Sequence, residues 1–158
     1  MNVSTNLEMI ANEVLDVKIK NPTSWTYNKQ YFATIHELTK TDEERQLYKE
    51  YLEDCIICFS KHDKFLEKKF TEVTPLKHYI GTSKLMNGAI LGILGFFPGA
   101  YVGAELGDHI FSGFLVGITM GAILGVIKGK KSGKNQYKKE FLKQIEPLKE
   151  DYTKKLDL

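Results

Sequence analysis

All thirteen glycines of this chain lie between Gly81 and Gly133, and most of them recur every fourth residue. Gly95, Gly99, Gly103 and Gly107 form one series, and Gly113, Gly117, Gly121, Gly125 and Gly129 form another; Gly88 and Gly92 precede the first. Residues spaced by four share one face of a helix, and a face without Cβ atoms admits another helix to backbone contact. In water each such glycine costs a helix roughly 1 kcal/mol relative to alanine. In a bilayer the backbone has no water to bond, so helix is the state that satisfies it. The pattern therefore predicts closely packed helices in a membrane.

Charge follows the same partition. The mean hydropathy of −0.27 is that of a soluble protein, but residues 85–127 carry only Glu105 and Asp108 as formal charges. Residues 1–84 are nearly balanced, with twelve basic and thirteen acidic side chains, and 128–158 hold ten basic against five acidic. We expect an all-α protein in three parts: a soluble amphipathic helical region over 1–84, an apolar hairpin over 85–127, and a basic segment with a C-terminal helix over 128–158. Two cysteines are too few for a disulfide scaffold, and the N-terminus has no cationic region followed by an apolar stretch, so no cleavable signal is expected.

Along the first part, Thr5 and Glu8 have capping-box spacing before Leu7, Ile10, Val14 and Val17, with Asn21-Pro22 as a stop. Residues 23–38, with Trp25, Tyr27, Tyr31 and Phe32, read as a more aromatic helix whose rings serve a core or a membrane interface, with a core preferred. Thr41 and Glu44 open a long helix expected to run to about Thr74. Its predicted seam is Leu47, Tyr51, Cys55, Cys58, His62, Phe65 and, less regularly, Phe70 and Val73, and Pro75 is expected to end or bend it. At the other end Tyr137, Phe141, Ile145, Leu148 and Tyr152 share a face suited to antiparallel packing on that seam, with a local interruption at Pro147.

The apolar stretches 85–104 and 110–127 approach the length that spans a ~30 Å hydrocarbon core at 1.5 Å per residue. The ten Ile, Leu, Val and Phe residues of the second favour insertion by roughly 3–6 kcal/mol. The first is weaker, since it carries Asn87 and Pro98. Lys77 and Lys84 precede the spans and six lysines follow them, including Lys128, Lys130, Lys131 and Lys134. The positive-inside rule then places both termini in the cytoplasm, and these lysines also suit anionic lipid. A lysine run can signal nucleic acid, but beside a span it reads as a determinant of topology.

Glycine-zipper two-helix membrane segments are what residues 85–129 resemble, on Gly-xxx-Gly spacing. Such segments occur in channels, membrane-depolarising toxins and small envelope proteins. The resemblance implies close helix packing and self-association, with one glycine groove joining the two spans and the other free for a second copy, unless the hairpin consumes both. Glu105, Asp108 and His109 then form either an acidic pore mouth or a solvated turn. Cys55, Cys58 and His62 have spacing usable by a metal or a redox pair, but they also fall on the apolar seam, and core packing is the preferred reading. No Ser-His-Asp spacing, phosphate loop or pair of carboxylates in an apolar setting is found, so neither enzymatic activity nor a cofactor is expected. The expected partners are the bilayer, a second copy and a protein bound by the N-terminal helices. An oligomeric pore is slightly preferred over a membrane-anchored adaptor or immunity-type protein, and a soluble bundle sheltering the hairpin has too few helices to cover it.

Overall fold

A computed structural model describes residues 2–22, 25, 29–70, 73–107 and 109–157. Its described residues form six helices and no strand: α1 (Val3–Lys20), α2 (Lys29–Leu38), α3 (Asp42–Lys69), α4 (Pro75–Glu105), α5 (Ile110–Gln144) and α6 (Glu146–Leu156). They divide into two compact units, one of residues 1–72 with 138–158 and the other of 73–137.

Local chemistry sets most helix ends. Thr41 caps α3 reciprocally: its hydroxyl accepts from the Glu44 N–H at 3.1 Å, and the Glu44 carboxylate accepts from the Thr41 N–H at 3.4 Å. The Lys40 N–H also donates to that carboxylate, and these backbone bonds hold the Glu44 pKa below the usual carboxylate range. Asn2 caps α1, through Oδ1 and the Ser4 N–H, so the helix begins before the expected Thr5–Glu8 box. It ends at Asn21 as the Asn-Pro pair requires. α3 ends at Phe70, short of Thr74, and Pro75 opens α4 instead of bending α3. Proline fits there because the first helical N–H has no partner to lose. Pro147 likewise sits in the first turn of α6, just past the break at Ile145.

In the first unit α1 packs on α2, α3 and α6, and α3 packs on α2 and α6. Leu7, Ile10, Ala11, Val14 and Leu15 of α1 are buried, with Tyr31 and Ile35 of α2 and Tyr152 of α6. The core face of α3 is Tyr48, Tyr51, Leu52, Cys55, Phe59, Asp63 and Leu66. That is a corrected register: Leu47, Cys58 and His62 lie at the seam's edge, half-buried, and Phe65 is 62% exposed. The C-terminal segment packs antiparallel on α3 as expected, with Tyr152 against Tyr51 (5.4 Å) and Phe141 against Phe59 (5.7 Å).

The expected helix over 23–38 starts only at Lys29. Trp25 precedes it and stacks on Phe59 and Phe141 at 5.7 and 5.9 Å, while Tyr27 lies outside the described residues. Tyr31 is buried but Phe32 is 42% exposed. Burial pushes the Tyr31 hydroxyl up to about 12.

A buried ion pair crosses this core. The Lys18 ammonium meets the Asp63 carboxylate at 3.1 Å with both side chains under a tenth exposed. The Trp25 indole N–H donates to the same carboxylate at 3.3 Å, and Lys18 lies 4.7 Å from the Trp25 ring centroid. Breaking such a pair strands a buried charge, at a cost of roughly 3–5 kcal/mol. Lys18→Ala should therefore lower the unfolding free energy of the full chain by about that amount in denaturant titration. The Lys18→Met/Asp63→Leu double variant should recover most of the loss, because it leaves no orphaned charge.

Candidate functional site

The second unit is a hairpin of α4 and the greater part of α5, and glycine determines how closely they approach. A Cβ built at Gly95 would collide with the Gly117 carbonyl, one at Gly117 with the Gly95 carbonyl, and one at Gly99 or Gly113 with the other's carbonyl. Added to Gly117, it would also stand 2.9 Å from the Gly99 Cα. The same contact continues through Gly121 against Leu91, Gly125 against Asn87 and Gly88, and Gly129 against Ser83 and Lys84. Side chains therefore have no room along the inner line of the hairpin. Gly88 and Gly92 are looser, with nearest atoms at 3.4 and 3.7 Å. Among the glycines of α4 itself, those with no room for a Cβ begin at Gly95, where the one three-residue step interrupts the four-residue spacing.

Both candidate spans lie inside longer helices, α4 having 31 residues and α5 having 35. Two helices are thus long and apolar enough to cross a membrane. Pro98 lies within α4 without ending it. Gly133, which the apolar boundary near Ile127 left out of the expected packing set, continues it: its Cβ would stand 2.6 Å from the Ile80 Cα. The unbroken period of four from Gly113 to Gly133 was the signal for this.

With glycine inside, the large side chains point outward. Leu85, Phe97 and Phe111 are 74%, 70% and 75% exposed, and the apolar windows of α4 and α5 are only 11% and 6% buried. Two polar side chains within the spans bond to their own helix: the Asn87 amide donates to the Ser83 carbonyl at 2.8 Å, and the Thr119 hydroxyl to the Leu115 carbonyl at 2.8 Å; Tyr101 and Ser112 are exposed. A groove of about 640 Å³ runs along one side, walled by Leu94, Pro98, Val102, Val116, Met120 and Leu124 over the glycines.

At the tip, Glu105 ends α4 and is exposed. Gly107 turns the chain with φ of +86°, a left-handed conformation that glycine adopts without Cβ strain. His109 is exposed, and its carbonyl starts α5 by accepting from the Gly113 N–H at 2.9 Å. Asp108 lies outside the described residues. At the base, Lys128, Lys130 and Lys131 are exposed and Lys134 is half-buried, all within α5.

The cysteine–histidine motif belongs to the other unit, where its three side chains take separate surroundings. Cys55 is fully buried, and burial pushes its thiol up to about 12. Cys58 is half-buried and donates to the Gln144 carbonyl at 3.7 Å; burial raises its thiol as well. His62 packs edge-on against Phe141 at 4.8 Å, and burial lowers its pKa. Among the described residues no three His, Cys, Asp or Glu side chains form a group that could hold a metal ion. Comparison with protein-family models, curated proteins and solved structures finds no match to the chain.

Substitutions should separate the tight and loose glycines. Gly88→Ala should be tolerated, with the better helix propensity of alanine offsetting a slight adjustment of Val126. Gly99→Ala and Gly117→Ala should force the helices apart. In detergent micelles, hydrogen-exchange mass spectrometry should then show faster amide exchange across 91–121 in the latter two variants and none of this in the first.

Proposed function

We propose that the chain is an integral membrane protein in which 85–104 and 110–127 cross the bilayer as a hairpin, with both termini cytoplasmic. The observation that carries this reading is the match of the spacing between polar flanking residues to membrane thickness on both helices. Lys84 and Glu105 are 21 residues apart and His109 and Lys128 are 19 apart, about 31 and 29 Å of helix at 1.5 Å per residue. The hydrocarbon core is ~30 Å thick. Between these levels the outer surface is aliphatic and aromatic, as lipid contact requires.

The function we infer is that of a non-enzymatic membrane-anchored adaptor whose N-terminal helical unit binds a protein partner. Two features favour an anchor over a pore. The glycine backbones that could have served a second copy already face the other helix of the same hairpin. The Thr119 hydroxyl and the Asn87 amide bond to their own helix, which leaves Tyr101 and Ser112 as the other polar side chains in the spans and little to line a continuous water path. The soluble unit, in turn, offers an outward α3 face with Ile57 and Phe65 51% and 62% exposed among Lys61, Lys64 and Lys68. The second reading is a glycine-zipper homo-oligomer forming a pore, favoured by the exposed Glu105 at the tip.

Liposomes distinguish the two. An anchored adaptor should insert and leave dye-loaded vesicles tight, and its partner binding should survive exchange of the hairpin for an unrelated one. Release of dye by the wild type, abolished by Gly117→Leu, would decide for the pore.

A further inference from the structure

α3 buries Tyr51, Cys55, Phe59 and Leu66 against the rest of its unit. Directly opposite that core face runs one exposed line of side chains: Glu50, Glu53, Ile57, Lys61, Lys64 and Lys68. At about 100° per residue, all of them fall within roughly 40° of Ile57 around the helix. Their order is symmetric. Carboxylates stand four and seven residues before Ile57, and ammonium groups four and seven residues after it.

The helix dipole does not account for this order. It favours acids in the first turn and bases in the last, and its effect fades beyond them. Asp42, Glu43 and Glu44, and Lys68 and Lys69, occupy those turns. Glu50 lies eight residues past the start of α3 and Lys61 eight before its end. Nor does the unit spend these charges on itself. Among the described residues no ion pair engages Glu50, Glu53, Lys61, Lys64 or Lys68. The Gln46 amide donates to Glu50 at 3.0 Å, a neutral partner that leaves the charge in place. Lys155, which also lies near Glu50, is held by Asp151 at 2.8 Å.

A line that runs acidic, apolar, basic is complementary to itself when reversed. A two-fold axis at Ile57 sets that residue against its own copy. It brings Glu53 level with Lys61, and Glu50 level with Lys64, of the second chain, and symmetry makes each pair twice. Parallel pairing would set like charges together instead. We propose that the exposed face of α3 docks antiparallel on α3 of a second copy of this chain, with Ile57 on the symmetry axis. This names a partner for the outward α3 face and rests on reading that face as a docking surface. It uses none of the hairpin glycines.

The test is the mass of the full chain in a neutral detergent at low salt, by sedimentation. Wild type should dimerise, and added salt should separate the copies, since exposed charge pairs are screened. Glu50→Lys/Glu53→Lys should weaken the dimer at least about tenfold, as should Lys61→Glu/Lys64→Glu. A mixture of these two variants should pair again, because one face is then wholly basic and the other mainly acidic. The variant carrying all four changes should dimerise as wild type does. Wild type that stays monomeric at low salt would overturn the pairing and leave the face to a partner of another kind. A dimer that neither charge reversal weakens, but that Gly117→Leu abolishes, would overturn it in favour of the glycine contact. All of the α3 variants should still float with phosphatidylcholine vesicles, so loss of pairing and loss of the membrane hairpin are read apart.

Discussion

The contact between the backbones of α4 and α5 is the constraint on which the rest of the hairpin depends. In lipid, two helices gain nothing from hiding apolar side chains from each other, because lipid tails are equally apolar. What remains is dispersion, which grows as atoms come closer, supplemented by weak Cα–H···O contacts. Glycine at Gly95, Gly99, Gly113 and Gly117 removes the only atoms that would hold the helices apart. The outward direction of the aliphatic side chains follows, as does the tight turn at Gly107. A single added methyl in the centre of the contact acts on both.

The first unit packs by a different means. There burial is what drives packing, and the large rings of Trp25, Phe59, Phe141, Tyr51 and Tyr152 supply it. A core built on such rings tolerates one internal ion pair, Lys18 with Asp63, because the indole N–H and ring of Trp25 complete its surroundings. The two units thus use opposite means, bulky aromatic side chains in one and the absence of side chains in the other. Each means fits the medium we propose for its unit.

Features set by residues near in sequence were legible before the structure. The Thr41–Glu44 capping box, the stop at Asn21 and the break beside Pro147 all depend on a few adjacent groups. The all-helical class followed from periodicity, as did the two long apolar helices. The face of α3 was misjudged by about one residue because Asp63 looks like a surface residue until Lys18, 45 positions away, is brought to it. Phe65 looks like a core residue until Leu66 takes that place. The start of α1 was misplaced for a simpler reason: Asn2 and Thr5 are both competent caps, and only the fold selects between them. Within the hairpin, the glycine spacing told which residues would permit close packing. It did not tell which helix would fill the space, and the answer is the hairpin's own other arm.

The central claim is that this hairpin lies within a bilayer, and extraction of membranes with alkaline carbonate tests it most directly. Peripheral and soluble proteins leave the membrane under that treatment, and spanning ones stay. The account predicts that the tagged full-length chain remains in the membrane pellet after the wash. Release of the chain into the supernatant would contradict it, and would make the glycine contact the interior of a soluble or switchable hairpin.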